Sequence, residues 1–374
     1  MGIHHGHVLR ILRDEGPQSR AELARRSKLS ATTLTHVTAH LLKDGSVIEL
    51  ESGGLGSVGR PAQAIRLAPE AYAVAGVHIG ASSIQVTVTD LRASTKAATS
   101  FDFAVKGGDP TAIVKRISEA VNKLAEEAQI EAERLIGVGI SVPGPVDAAR
   151  RKAIASINIG WRNVPFADLM EQALSKPAIV EHNVSAMALA ESRYGIGKDV
   201  PALLYVYLRT GLGAGLVVDG MPFRPGGHGA VELGHIQVTQ SGAACACGNT
   251  GCLETFVRES TLMHASGLTG SAPEHLLAHV EKNPEAWDVV VRHLTSALAS
   301  AVNLLTPDLI VFGGHLGEAP DSLFDRLRSD LPPRVMPHMR DILNIQRSSL
   351  GSQAGAIGGA ATALDHFFYS GVLH

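Results

Sequence analysis

The residues with the most evident chemistry fall in one glycine-rich stretch, residues 232–254, which reads E-L-G-H-I-Q-V-T-Q-S-G-A-A-C-A-C-G-N-T-G-C-L-E. It holds all three cysteines of the chain, within eight positions, and a histidine ten residues before the first of them. Three thiolates and one imidazole form the tetrahedral ligand set of closed structural zinc sites. Gly248 and Gly251 free the backbone to fold round one ion. The alternative, three reduced surface thiols beside an unrelated histidine, does not account for this clustering. The stretch therefore predicts a zinc site formed by His235, Cys245, Cys247 and Cys252.

Two carboxylates flank these ligands. Glu232 lies three residues before the histidine and Glu254 two residues after the last cysteine. Because four protein ligands leave no coordination position for a substrate, the ion would shape a site rather than perform chemistry. Carboxylates held by such a loop suit the vicinal hydroxyls of a sugar, each of which can donate one hydrogen bond. Each could instead be a satisfied interior group, but a buried unpaired carboxylate is costly without a function.

The same stretch resembles the ROK family of repressors and sugar kinases. Its members carry Glu-x-Gly-His and then Cys-x-Cys-Gly-x-x-Gly-Cys-x-Glu, and this chain matches every position. The resemblance covers essentially the whole chain and implies the same four zinc ligands, with Glu232, His235 and Glu254 facing a sugar. It also implies a two-lobed, actin-like (sugar kinase) α/β domain with a cleft between the lobes.

The chemistry of a kinase is missing from two matching positions. Phosphoryl transfer needs a carboxylate to accept the hydroxyl proton and another to hold Mg²⁺. The segment V-E-H-N-V-S-A-M-A-L-A-E places Asn183 where the family kinases have the Asp base, and an amide has no basic lone pair at neutral pH. The stretch H-I-G-A-S-S likewise places His78 where they have a metal-binding Asp. The sequence therefore predicts a sensor without enzymatic activity.

Other parts of the kinase site are kept. The loop at residues 210–215 and the pair Gly313-Gly314 match the nucleotide side, although glycines there could serve only tight hairpin geometry. On the sugar side, His182 replaces the family's Asn, and either side chain can hydrogen-bond a sugar. These polar groups could instead be satisfied interior residues. The resemblance implies a sugar site that comprises His182, Asn183, Glu232, His235, Glu254 and Asn158.

Composition agrees with an ordinary multidomain protein. The chain has 374 residues, 45% hydrophobic and 18% charged, which is enough for two or three domains. Residues 1–67 carry nine Lys or Arg against six Asp or Glu, whereas the remainder carries 24 against 30. A mildly basic head on an acidic body is consistent with an anionic partner. We find no signal peptide or membrane span, and clustered reduced thiols fit a cytoplasmic location.

Helix signals dominate the start of the chain. Residues 3–14 carry apolar side chains at helical spacing and stop before Gly16-Pro17. Ser19 and Glu22 form a capping box for a second, short helix. Ser30 can cap a third helix, whose outward face carries hydroxyls and an imidazole. Two short helices joined by a tight turn are typical of a helix-turn-helix.

A hairpin after these helices completes the predicted head. Residues 47–51 and 64–67 are strand-like and flank the loop S-G-G-L-G-S-V-G-R-P. Helix-turn-helix and basic wing together favour a winged DNA-binding domain, although such a module could instead bind protein. The DNA-binding residues predicted on these grounds are Thr32, Thr33, Thr35, His36 and Arg60.

Strands alternate with crossover helices after a junction at residues 69–72, a pattern typical of α/β lobes. Strands are predicted at 73–79, 84–90, 135–142, 203–208, 214–218 and 309–312, with a long helix at 286–305. The last helix, 353–368, is expected to pack back on the first lobe. The predicted domains are a winged helix-turn-helix at 1–70, a first lobe at 71–183 and a second lobe with the zinc loop at 184–374.

The sequence thus predicts a sugar-responsive transcriptional regulator of carbohydrate genes, most simply a repressor. Its partners would be operator DNA and a sugar or sugar phosphate, and zinc its cofactor. Two heads that read a pseudo-palindrome need twofold symmetry, so a homodimer or homotetramer is expected. The alternatives are an active ATP-dependent sugar kinase with an added DNA-binding domain, and a protein-protein scaffold.

Overall fold

One β-sheet organises the head and one organises each lobe. The structure is a computed structural model. It describes residues 2–50, 63–103, 108–157, 159–224, 226, 230–268 and 275–370.

The head has the predicted order of helices and strands. Ser19 Oγ accepts the N–H of Glu22 at 3.2 Å, and Ser30 Oγ accepts the N–H of Thr33 at 3.1 Å, so both predicted N-caps are confirmed. The capping box also predicts a bond from the Glu22 carboxylate back to the N–H of Ser19. This part of the prediction was wrong, because the carboxylate binds Arg25 and Arg26 instead. A short first strand, which the sequence analysis missed, makes the sheet three-stranded. The elements are α1 Ile3–Glu15, β1 Gln18–Ser19, α2 Arg20–Ser27, α3 Ala31–Lys43, β2 Val47–Glu49 and β3 Ala64–Leu67.

The first lobe is a five-stranded sheet in the order β10-β7-β4-β5-β6. Strands β4, β5 and β6, which are consecutive in the chain, form an antiparallel meander. Strands β7 and β10 run parallel to β4 and need crossover connections. Asp109 caps α4 by accepting hydrogen bonds from the N–H groups of Thr111 and Ala112. The elements are β4 Ala73–Ile79, β5 Ser83–Asp90, β6 Thr95–Asp102, α4 Pro110–Glu127, β7 Leu135–Val142, β8 Ala153–Ser156, β9 Trp161–Val164, α5 Phe166–Leu174 and β10 Ala178–His182.

The second lobe repeats the plan, with a five-stranded sheet in the order β13-β12-β11-β14-β15. A hairpin again leads, and parallel strands follow after helices. Within the described ranges, no helix is long and apolar enough to cross a membrane. The elements are α6 Asn183–Tyr194, β11 Ala202–Leu208, β12 Leu212–Val218, β13 Met221–Pro222, α7 Glu254–Val257, α8 Glu259–Ala265, α9 Leu276–Lys282, α10 Pro284–Leu305, β14 Leu309–Gly314, α11 His315–Glu318, α12 Asp321–Asp330, α13 Pro337–Arg340 and β15 Asn344–Arg347.

The last helix returns to the first lobe. Helix α14, Ala354–Ala363, continues as a π-helical turn through Leu364–Tyr369 and lies across β4 and β7. A side chain at Gly76 or Gly139 would collide with its backbone, so glycine permits the close approach. The π-helical turn shares one apolar core with the head, whose Leu9 and Leu12 are fully buried. The head is therefore docked on the two-lobed domain and not joined to it only by a linker.

Candidate functional site

The four predicted metal ligands converge. Their ligand atoms all lie within 4.8 Å of one another. Cys245 Sγ lies 3.6 Å from Nδ1 of His235, and Cys247 Sγ lies 3.7 Å from Cys252 Sγ. That sulfur separation excludes a disulfide, in which it is about 2.05 Å. Around a tetrahedral ion with zinc-length bonds, the corresponding separations are about 3.6 and about 3.8 Å. The cluster therefore fits a four-coordinate metal ion.

The backbone of the loop explains this convergence. Gly248 and Gly251 have φ of +99° and +69°, which glycine adopts without strain. The N–H of Cys245 donates to the carbonyl of Asn249 at 2.8 Å, closing a tight turn around the second cysteine. A β-bridge between Gln237 and Cys252 brings the last cysteine back beside the histidine. Turn and bridge together place all four side chains on one side of the loop.

His235 links the three cysteines of the candidate metal site to a carboxylate. Its Nδ1 faces the thiols, and its Nε2 lies 4.0 Å from Oε2 of Glu232. Desolvation raises the pKa of Glu232; His235 opposes the shift and the nearby Glu254 carboxylate adds to it. An imidazole that binds metal with one nitrogen and faces a carboxylate with the other has a fixed orientation. The loop therefore brings the side chains of Glu232 and His235 together, with the carboxylate of Glu254 nearby.

Three separate segments meet at the start of β12. The N–H of Leu212 donates to Oε2 of Glu254 at 3.0 Å. Gly234, beside the cluster histidine, packs against Leu212 and Glu254, while Gly213 packs against Val184 at the start of α6. The hairpin of β11 and β12 thus joins two parts of the chain. One is the metal loop, residues 232–254, and the other is helix α6, which begins at the predicted sugar residues. This common contact brings the loop and the α6 residues to one end of the second lobe.

The residues at the start of α6 are held by local bonds. His182 caps the helix, accepting the N–H of Ser185 at 3.4 Å, and Asn183 Oδ1 accepts the N–H of Val184 at 2.9 Å. Burial lowers the pKa of His182 to about 4, so its ring is neutral at pH 7. Both side chains keep further hydrogen-bonding capacity for a sugar. The remaining predicted sugar residue, Asn158, lies outside the described residues.

His78 has become an interior group. It lies on β4, is 7% exposed, and its Nδ1 is 3.0 Å from Oγ of Ser141 on β7. Gly355 of α14 packs directly against the ring. Burial lowers the pKa of His78 to about 4. A neutral, enclosed imidazole cannot replace the carboxylate that a kinase uses near Mg²⁺.

The two buried histidines predict acid sensitivity. An unfolded histidine titrates near pH 6.5, whereas the pKa of His78 and His182 in the folded protein is about 4. The unfolded state binds more protons between these two pH values. The free energy of unfolding therefore keeps its full histidine contribution above pH 6.5 and decreases as the pH drops towards 4. Each histidine contributes up to about 3 kcal/mol to this fall. Urea unfolding of wild type and His78→Gln at each pH should show a shallower decline in the variant. Parallel curves would contradict this prediction; metal release, common to both proteins, cancels in the comparison.

The predicted DNA-binding residues lie on the outer side of α3. Thr32, Thr35 and His36 are exposed, whereas Leu34 and Val37 are buried in the head. Thr33 is half-buried, and its hydroxyl lies 2.8 Å from Ser30 Oγ, so it supports the cap as well as facing outward. Arg60 lies outside the described residues.

Sequence analysis missed Arg13, which anchors the head on the sensor. Its side chain is 3% exposed and its Nη1 lies 3.8 Å from Asp365. The guanidinium lies over the rings of Tyr194, at the end of α6, and Tyr369, at 5.5 and 4.5 Å. The signal was present in the sequence, because Arg13 follows the buried Leu9 by four residues and so belongs to the apolar face of α1.

Comparison with known proteins agrees with this architecture. The sequence profile of the ROK family matches residues 74–366, and that of the MarR family matches residues 3–50. The DNA-binding transcriptional repressor Mlc of Escherichia coli K12 is 26% identical, over 98% of this chain and 94% of its own. A xylose repressor of Bacillus spizizenii is 24% identical, over 96% of this chain and 94% of its own.

The comparison of structures reaches the same result. A crystal structure described as a ROK family transcriptional regulator, homologous to the E. coli Mlc protein, superposes with a TM-score of 0.84 at 25% identity. The superposition covers 99% of this chain and 96% of the other, head included. The MarR-type head, the two lobes and a family profile that matches most of the chain lead to one assignment: the protein belongs to the ROK family.

Proposed function

We propose that the protein is a DNA-binding transcriptional regulator, most simply a repressor, whose two-lobed domain senses a sugar. The observation that carries the proposal is the meeting of the loop at residues 232–254 with β12 and α6 at Leu212 and Gly213, in a chain that also has an N-terminal winged helix-turn-helix. Relatives over nearly the full length are named as repressors, one of them a xylose repressor. The protein controls transcription and does not phosphorylate a sugar.

Zinc is the metal proposed for the cluster. Three thiolates and an imidazole are ligands that zinc prefers, and the 3.6 and 3.7 Å separations suit its tetrahedral geometry. With all four positions filled by the protein, the ion holds the loop and supplies no catalytic water. Its role is to fix the orientation of His235, and with it the position of Glu232.

The proposed sugar site uses both sides of this meeting point. Glu232 and Glu254 accept hydrogen bonds from sugar hydroxyls, and the Nε2 of His235 completes the loop side. His182 and Asn183 bind from the start of α6. Glu254 is held by the N–H of Leu212 through Oε2, which leaves Oε1 for a hydroxyl. Asn183 can orient a hydroxyl but cannot remove its proton, so the sugar is bound and released unchanged.

Glu254→Gln tests the sugar site. The amide keeps the shape of the side chain, but it is uncharged and a weaker acceptor, so we expect sugar affinity to fall by roughly 10- to 100-fold. Calorimetric titration with a panel of aldoses and aldose phosphates measures this loss, and operator binding without sugar serves as the control because the head is unchanged. Unaltered sugar affinity in the variant would place the site elsewhere.

DNA affinity is proposed to reside in the head, with α3 in the major groove. Affinity for operator DNA should fall steeply with added salt, because phosphate contacts release counterions. Thr32→Ala or His36→Ala should change base preference by about 1–3 kcal/mol at one position, with nonspecific binding nearly unchanged. Fluorescence anisotropy on a set of single-base operator variants measures both effects. A protein without residues 1–70 that binds operator as well as the full chain would refute the assignment.

The regulator is proposed to act as a homodimer or homotetramer. A single head reads one half-site, and twofold symmetry matches two heads to a pseudo-palindrome whose halves are one helical turn apart. Light scattering of the purified protein with and without operator determines the assembly.

A further inference from the structure

Two arginines from opposite lobes share one buried carboxylate beside the proposed sugar site. Arg150 follows the segment P-G-P-V-D, residues 143–147, of the first lobe, and Arg224 follows β13 of the second lobe. Both guanidinium groups bond to Oε2 of Glu181 at the end of β10, that of Arg150 at 2.9 Å. The Glu181 side chain is 3% exposed. Glu181 therefore pairs with two cations and can neutralise the charge of only one of them.

Neither guanidinium group is fully satisfied. The Nε atoms of Arg150 and Arg224 are both buried and have no hydrogen-bond partner among the described residues. Burial lowers the pKa of Arg150 to about 10, against the opposing charge of Asp365. Burial and the neighbouring charge of Arg150 together lower the pKa of Arg224 to about 10. A buried donor without an acceptor is costly, and buried cations that repel each other add to that cost. Both costs fall if an anion binds between them.

A cavity of about 120 Å³ is lined by both arginines and by Glu181. His182 forms part of its wall, so the cavity adjoins the proposed sugar site. Asp147 brings a second carboxylate to the wall, but its Oδ1 accepts the N–H groups of Arg151 and Lys152 at 2.7 and 2.8 Å. That carboxylate is therefore stabilised within its own turn, and the arginines are left as the groups that can receive a ligand.

We propose that this cavity binds an anionic substituent of the sugar, a phosphate or a carboxylate, through Arg150 and Arg224. A guanidinium fork donates two parallel hydrogen bonds to either group. Glu181 occupies the two arginines when no anion is bound, so it acts as a built-in competitor. The inference rests on the proposed sugar sensing and specifies its effector: a sugar phosphate or sugar acid, preferred over the neutral sugar.

The first test compares neutral and anionic sugars on the full-length protein. Calorimetric titration with glucose, glucose 6-phosphate, glucose 1-phosphate and glucuronate, and with the equivalent xylose and N-acetylglucosamine series, gives the affinity ratio of each pair. A charge-assisted contact corresponds to roughly 10- to 100-fold, and we expect the anionic member to bind tighter by this factor. Arg150→Gln and Arg224→Gln should remove the preference and leave the neutral sugar's affinity within about twofold. Each single variant keeps one arginine on Glu181, so the carboxylate stays paired.

Arg151→Gln is the matched control. This adjacent arginine binds Asp168 and Glu171 on α5, away from the cavity, so the anion preference should be unchanged. Equal affinities for neutral and anionic members of every pair, or a preference that survives both arginine variants, would overturn the proposal while the sugar sensor stands.

Inorganic phosphate and Glu181→Gln give a test that needs no sugar. The variant leaves two buried cations without their carboxylate, and we expect its lowered melting temperature to be raised by inorganic phosphate more than that of wild type. Adding Arg150→Gln to the Glu181→Gln variant should abolish the extra rise in melting temperature that phosphate causes relative to wild type. If no sugar of either kind binds but phosphate rescue is seen, the sugar sensor fails and the anion site stands. If phosphate does not rescue Glu181→Gln, the three residues only join the lobes.

Discussion

Cys247→Ser is expected to abolish metal binding and to destabilise the second lobe. A serine hydroxyl is a far poorer zinc ligand than a thiolate, and structural zinc sites contribute to folding directly, on the order of 10 kcal/mol in small domains. The second lobe has its own large core, which includes Trp287 and Leu294, so only part of that contribution should appear as lost stability. A loss of roughly 5 kcal/mol, or about 10 °C in melting temperature, is expected. Elemental analysis and calorimetry measure both effects.

The position of Cys247 makes this interpretation clean. It is half-buried, whereas Cys252 is fully buried, so the substitution at Cys247 removes a ligand with little loss of core packing. Ala246→Ser, in the same turn, adds a hydroxyl without touching a ligand and should keep the metal. Sugar affinity should fall with metal content, because the imidazole of His235 loses its fixed orientation. A zinc-free wild-type protein purified without chelator, with unimpaired sugar binding, would refute the structural role of the ion.

The metal loop could be predicted because its information is local. Four ligands and two positive-φ glycines lie within residues 235–252, and the spacing alone defines the cluster. The N-caps at Ser19 and Ser30 are equally local, and both were confirmed. Glu22 shows the limit of reasoning from local sequence. Its carboxylate was predicted to complete a capping box, but it accepts hydrogen bonds from Arg25 and Arg26 on the next turn instead.

Contacts between distant segments could not be predicted in this way. Glu181 pairs with Arg150 and Arg224, residues 31 and 43 positions away in opposite directions, and neither arginine stands in a recognisable motif. The meeting of Glu254, Leu212 and Val184 likewise depends on how the hairpin, loop and helix pack. The sequence suggested candidate sugar-binding side chains, but only packing shows which contacts hold them in place.

Helix α6 offers a direct connection between the proposed sugar site and the head. It begins at Asn183 and ends at Tyr194, a span of 12 residues or about 18 Å. Near its end, the fully buried Glu191 accepts bonds from Ser348, Ser349 and the N–H of Leu350, which fixes the helix to the second lobe. We therefore expect a sugar that binds at the start of α6 to displace the helix as one unit. Its last residue, Tyr194, contacts Arg13 of the head.

Arg13→Met is accordingly expected to disconnect sugar binding from DNA binding. Methionine fills the slot between Tyr194 and Tyr369 but loses the cation–π contacts and the ion pairs with Asp14 and Asp365. Removing one member of a buried ion pair costs about 3–5 kcal/mol, and here Arg193 still pairs with Asp365, so a loss at the lower end is expected. The variant should bind operator and sugar separately, yet operator affinity should no longer change when sugar is added. In the wild type that change should be about 5- to 150-fold.

The control for this loss is Arg20→Met. Arg20 pairs with Glu49 on the outer side of the head, and its removal lowers the head's charge by the same amount without touching the sensor. Fluorescence anisotropy of operator binding, titrated with sugar at fixed salt, should show a normal response for Arg20→Met and a flat one for Arg13→Met. An Arg13→Met protein that responds to sugar with the wild-type midpoint and amplitude would show that α6 does not carry the signal. The connection would then pass through the other contacts of the head, namely the apolar core shared with Leu364–Tyr369 or the Pro69–Ala71 junction.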